Sequence, residues 1–149
     1  MNIAKFIIEN NLPHTIDSDG NVVQKGILRL QGKNITSLKG FKQTNSLFLS
    51  DNNITSLEGF IQNGSLYLRN NKITSLKGFK QNGDLYICKW VTIFENNKLS
   101  IGCKTKTLEE WRIFFENKES YETNSDSDEY KLIEKTFKMY YEKFAQNKN

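Results

Sequence analysis

A chain of 149 residues holds one domain, or one domain with a small appendage, and can bury a true core. Its 37% hydrophobic content and mean hydropathy of −0.62 are low, and no apolar run reaches the length of a membrane span, which excludes a protein built on membrane helices. The formal charge of +4 is uneven: residues 1–26 carry −1, residues 27–87 carry +5 and residues 88–149 balance, so the basic surface belongs to the middle of the chain, where it suits an acidic protein or a nucleic acid.

The N-terminal stretch places Ala4, Phe6, Ile7 and Ile8 on a short amphipathic helix that Pro13 ends. It lacks the basic start, long apolar core and small-residue cleavage site of a secretory leader, so the chain reads as cytoplasmic, and Cys88 and Cys103 read as free thiols. Residues 14–24 predict a hairpin turning at Asp17, Ser18, Asp19, Gly20 and Asn21.

Self-similarity dominates the middle. Leu28, Leu47, Leu66 and Leu85 recur with a 19-residue period, and the same interval separates Ile35, Ile54 and Ile73, then Leu38, Leu57 and Leu76, then the Gly-Phe pairs at Phe41, Phe60 and Phe79, then Gln43, Gln62 and Gln81. A short fixed period means that successive units stack and bury one another. Alternation in the runs that start at each of the four leucines predicts short strands with two side chains inward. The Asn that follows, Asn52 and Asn71, is suited to bond the backbone groups that a bend leaves unpaired, with Lys33 and Trp90 at this position in the terminal units. Gly-Phe predicts a tight turn and an inward ring. Asn45, Gly64 and Gly83 share a column where positive φ is expected.

After the last unit, residues 90–94 and 99–101 predict two strands around the turn at 95–98. Thr107 and Glu110 form a capping box for a helix whose apolar face is Leu108, Trp111, Phe114 and Phe115. A linker at 120–125 leads to a longer helix starting near Asp126, with Ile133, Phe137, Tyr140, Tyr141 and Phe144 on one stripe. The pattern divides the chain into an N-terminal cap (1–26), a repeat region (27–88) and a C-terminal hairpin with a helical cap (89–149).

The L-x-L, two residues, N, apolar-segment layout resembles the leucine-rich-repeat pattern. That resemblance implies an α/β solenoid: a short stack of 19-residue units with parallel strands on a concave side and turns on a convex side. A stack this short needs covered ends, so the N-terminal helix is expected to cap one end and the C-terminal hairpin plus two helices to cap the other or form a small lobe beside it. The T-S-L-[KE]-G cores at 36–40, 55–59 and 74–78, with Ile101, Gly102 and Cys103, the run from Thr107 to Trp111, and Phe114 and Phe115, resemble a group of bacteriophage and prophage leucine-rich-repeat proteins. The resemblance implies a phage setting, in which small proteins bind and disable host machinery, including defence systems such as a CRISPR effector.

The inventory for chemistry is thin. His14 is the one histidine and has no Cys near it in sequence, so no catalytic constellation is legible. Neither cysteine has a Cys or His at ligand spacing, and no metal or cofactor is expected. Asp17, Asp19 and Asn21 match part of a calcium loop, but Leu28 stands where the closing Glu is needed, so a plain turn is expected. Glu109 with Glu110, and Asp126 with Asp128 and Glu129, are explained by helix capping and dipole complementarity.

The expected function is therefore binding, without catalysis. Arg29, Phe48, Tyr67 and Tyr86 fall on one outward column, Gln31, Ser50, Arg69 and Cys88 on the next, with Ser46, Ser65 and Asp84 flanking them. Strands about 4.8 Å apart make the first column a row about 15 Å long. Arg29, Phe48, Tyr67, Arg69 and Tyr86 are the residue types that dominate protein hot spots, and they are the expected partner-binding residues. The partner is expected to be a host protein or ribonucleoprotein. Three alternatives stay open. The aromatic ladder is purely structural and is covered by the C-terminal helices. The chain binds nucleic acid through its aromatics or through the turn-side lysines Lys39, Lys42, Lys77 and Lys80, with Glu58 and Ile61 interrupting them. Or it is a structural virion component.

Overall fold

Leucines one repeat apart stand opposite one another. A computed structural model describes residues 1–145. In it, strands β3 (Leu28–Arg29), β5 (Leu47–Phe48), β6 (Leu66–Tyr67) and β7 (Leu85–Tyr86) pair in parallel, with Leu28 against Leu47, Leu47 against Leu66 and Leu66 against Leu85. Hydrogen bonds extend the ladder past these two-residue strands: the amides of Leu30, Leu49 and Leu68 donate to the carbonyls of Phe48, Tyr67 and Tyr86 at 2.8–2.9 Å. A second seam runs on the turn side. Strand β2 (Val22–Gln24) pairs in parallel with β4 (Phe41–Gln43), again one repeat interval on, and an isolated bridge joins Ile61 to Lys80. The repeat register therefore already includes Val22 to Gln24, upstream of the first leucine strand.

Between the seams lies the core. Ile35, Ile54 and Ile73, Leu38, Leu57 and Leu76, and Phe41, Phe60 and Phe79 are all buried. The phenylalanines form their own near-parallel column, with centroids 6.4 and 6.5 Å apart. Two polar columns close the bends. The Asn52 carboxamide accepts from the amides of Lys33 and Ile35 and donates to the carbonyls of Leu30 and Leu49. Asn71 does the same work one unit on, accepting from Ile54 and donating to Leu49 and Leu68. Gln43, Gln62 and Gln81 each donate to two carbonyls across the opposite bend. Buried amides and carbonyls left by a turning chain are thus paired unit by unit.

The turns correct one expectation. Positive φ occurs at Gly40, Gly59 and Gly78 (78°, 84° and 71°) and at Gly32, Asp51 and Asn70 (66°, 60° and 59°). It does not occur at Asn45, Gly64 and Gly83. Glycine at 64 and 83 answers to crowding instead: a Cβ on Gly64 would lie 2.5 Å from the Asn45 carbonyl carbon, and one on Gly83 would lie 2.9 Å from the Gly64 oxygen.

Both ends of the stack are closed. Helix α1 (Ile3–Glu9) is capped by Asn2, whose Oδ1 accepts from Ala4 and Lys5, and it stops at Asn10, before Pro13 is reached. Ile3 and Ile7 are the residues it buries; Ile8 is half-exposed on the outer face. Strand β1 (Thr15–Ile16) pairs antiparallel with β2, as the hairpin pattern predicts. At the other end, β8 (Thr92–Glu95), β9 (Lys98–Ile101) and β10 (Lys104–Thr107) form an antiparallel meander, so the main sheet runs β10-β9-β8-β7-β6-β5-β3. The third strand, β10, has no apolar residue and gives no hydrophobic alternation in the sequence. Asn96 and Asn97, both with positive φ, form the tight turn between β8 and β9.

Helix α2 (Leu108–Glu116) has the expected capping box and buries Leu108, Trp111, Phe114 and Phe115. Helix α3 (Asp128–Phe144) starts just beyond Asp126, with Ser127 as N-cap. It lies across the open end of the stack. The Tyr140 hydroxyl donates to Gln81 Oε1 at 2.7 Å and lies 3.0 Å from Thr92 Oγ1, while Lys143 Nζ donates to the carbonyls of Leu76 and Phe79. The end of the predicted C-terminal segment 89–149, from 146 onward, lies outside the described residues. Among the described residues, no helix is long and apolar enough to cross a membrane.

Candidate functional site

The parallel register turns four residues into one stack. Phe48 and Tyr67 lie 4.2 Å apart between centroids with their planes at 4°, and Tyr67 and Tyr86 lie 4.6 Å apart at 7°. The Arg29 guanidinium carbon sits 4.2 Å from the Phe48 centroid and closes the row. Each stacked pair contributes about 0.5–1.5 kcal/mol beyond its buried area. The three rings are half-buried and Arg29 is exposed, so the row keeps a solvent-facing border. Stacking decides what that border offers. Ring faces inside the row are covered by neighbouring rings, and the border offers ring edges, the hydroxyls of Tyr67 and Tyr86, and the Arg29 guanidinium. Burial, with Tyr67 and Asp84 beside it, holds the Tyr86 hydroxyl above the usual phenol range.

Arg69 is placed on the same face but is already engaged. Its guanidinium donates two hydrogen bonds to the Glu129 carboxylate, at 3.1 and 2.7 Å. Glu129 also accepts from the Lys89 amide at 2.9 Å. Burial pushes the Glu129 carboxyl up, and Arg69 and the Lys89 amide overcome this and hold it below the usual carboxylate range. The first turn of α3 is thereby pinned beside the second outward column, so Glu129 does more than complement a helix dipole. Helix α3 meets the strand face at Arg69 and Lys89.

Cys88 departs from the outward position that alternation predicts. Strand β7 ends at Tyr86, the chain bends, and the thiol is buried, donating to the Trp90 carbonyl at 3.4 Å. Burial pushes its pKa up, away from thiolate chemistry. Cys103 is exposed.

The remaining candidates resolve locally. Asp17 Oδ1 accepts from the amides of Asp19 and Asn21, and Lys42 Nζ lies 2.8 Å from Oδ2. The Lys42 ammonium, with these amides, holds the Asp17 carboxyl far below its usual range. The loop is a turn tied to the next unit, and one of the four turn-side lysines is spent on it. His14 Nδ1 lies 2.7 Å from the Leu12 carbonyl. Glu110 completes the Thr107 cap, while Glu109 pairs with Arg112. Among the described residues no group of His, Cys, Asp and Glu could hold a metal ion.

Sequence reasoning missed two pieces of this arrangement. Glu129 carries no pattern that distinguishes it from any acidic N-terminal turn. Gln24 does carry one: it stands one repeat interval before Gln43 and pairs with it, a spacing legible in the sequence once the column is extended upstream. No protein-family model, curated protein or solved structure matches the chain.

Proposed function

We propose that the chain is a leucine-rich-repeat stack acting as a non-enzymatic protein-binding module, with the row of Arg29, Phe48, Tyr67 and Tyr86 as its docking border and Arg69 at the margin. The observation that carries this reading is the unbroken stack itself. It presents rigid aromatic edges, two hydroxyl donors and one guanidinium along about 15 Å, the residue types and rigidity that protein hot spots use. Nucleic-acid stacking on this row is disfavoured, because a base needs an open ring face and the interior faces are taken. The phage setting and an action on a host defence protein, such as a CRISPR effector, enter this proposal only through the resemblance of the T-S-L-[KE]-G cores and the downstream motif.

The test separates docking from folding. Tyr67→Phe with Tyr86→Phe keeps both stacks and removes both hydroxyls. Tyr67→Ala with Tyr86→Ala removes the row. Affinity purification from bacterial lysate followed by mass spectrometry should return one dominant protein with the wild type, less of it with the Phe pair and none with the Ala pair. The same protein should be retained by Lys77→Ala with Lys80→Ala. Loss of capture only in the lysine variant would move the site to the turn side.

A further inference from the structure

A cleft of about 370 Å³ lies between Trp90, the β9–β10 turn, α2, the linker at 120–123 and the start of α3. That volume falls within the range of small-molecule sites, which are mostly apolar with a few polar groups. Its walls are aromatic: Trp90, Trp111, Phe114, Phe115 and Tyr130, closed on the outside by Tyr121. Tyr121 is 52% exposed and stacks on Phe114 with centroids 5.3 Å apart, so a mostly solvated ring forms the outer wall.

Lys104 lines this aromatic box, and the ammonium groups of Lys106 and Lys89 lie over its rings from outside the lining. Lys104 Nζ lies 4.6 Å from the Tyr121 centroid, Lys106 Nζ lies 5.7 Å from both Tyr121 and Trp111, and Lys89 Nζ lies 5.1 Å from Trp90. None of the three has a carboxylate within 4.0 Å among the described residues. Glu122 is the single acid in the lining. Ring walls favour a flat aromatic guest, and the two ammonium groups over Tyr121, those of Lys104 and Lys106, favour a negative charge at that end of it.

We propose that this cleft binds a small aromatic carboxylate, with its ring against the tryptophan and tyrosine walls and its carboxylate toward Lys104. This is independent of the docking row, which lies on the strand face.

The chain has two tryptophans, and both line the cleft, so the indole N–H region of an amide correlation spectrum reads this site directly. Titration of the full chain with 2-naphthoate should move the Trp90 signal saturably. Trp111 donates to the Leu99 carbonyl at 2.7 Å, so its signal should move less. The neutral analogue 2-naphthalenemethanol should bind about fivefold more weakly, the scale of one exposed charge pair. Lys104→Gln should weaken naphthoate by a similar factor and the alcohol much less, and Tyr121→Ala should weaken both. Added salt should weaken naphthoate alone, which tests the charge without any variant. Indole signals unmoved by naphthoate, equal affinity for acid and alcohol, or salt-independent naphthoate binding would each overturn the proposal.

Discussion

Asn52 and Gly64 hold the two bends of a unit by opposite means. Asn52 fills space with a carboxamide that serves two amides and two carbonyls, and removing it leaves several buried backbone groups unpaired. The Leu49 carbonyl keeps its bond from Asn71, so three orphans remain; at about 1–3 kcal/mol each, Asn52→Ala should destabilise by at least about 3 kcal/mol in urea denaturation. Asn53→Ala should cost under about 0.5 kcal/mol, because the hydrogen bond of that side chain goes to the Asn34 side chain at the surface. Gly64 works by leaving space empty. Gly64→Ala forces a Cβ into the Asn45 backbone and should cost about 1–3 kcal/mol, whereas Gly40→Asn, at φ 78° with nothing within 4 Å, should cost under about 1 kcal/mol. The asparagine role was legible from type and spacing. The glycine role was not, because a sequence column of Asn, Gly and Gly suits positive φ and close approach equally, and only the position of the neighbouring unit separates the two.

At the scale of elements, α3 decides how the stack ends. Part of its buried face, Ile133, Phe137 and Tyr140, was readable from period, while Tyr130, Thr136 and Met139 were not; the capping box of α2 was readable in full. The contacts that fix the seat of α3 were not, since Glu129 reaches Arg69 across 60 residues and Tyr140 reaches Gln81 across 59, and no local pattern records either. The Arg69–Glu129 pair gives the seat a pH dependence. Because the folded-state pKa of Glu129 is depressed, its contribution is present above the ordinary glutamate range near 4.5 and is lost as pH falls through the folded value. The melting temperature of the wild type should therefore fall further on acidification than that of Glu129→Gln. At neutral pH the variant should melt about 2–4 °C lower, corresponding to about 1 kcal/mol for a half-exposed pair. Equal acid sensitivity in the two proteins would show that the pair does not hold the helix.

The whole molecule rests on one relation: positions one repeat apart become neighbours. From it follow the buried leucine, isoleucine and phenylalanine columns, the polar columns at the bends and the outward row. Most of this could be read from the sequence because the repeat applies the same local chemistry several times. What breaks the repeat was harder to read. The β10 strand lacks an apolar signature, Cys88 turns inward where β7 has ended, and the cleft beside α2 joins residues from five separate segments. The row itself should be worth stability apart from binding: Tyr67→Ala removes two stacked contacts and should cost about 1–3 kcal/mol, while Tyr67→Phe should be near neutral.

The most direct test of the common register is nuclear Overhauser spectroscopy on selectively labelled aromatic rings. Centroid separations of 4.2 and 4.6 Å predict strong ring-to-ring cross-peaks from Phe48 to Tyr67 and from Tyr67 to Tyr86, and none from Phe48 to Tyr86. Absence of the two sequential cross-peaks in the folded protein would contradict the stack, and with it the proposed docking row.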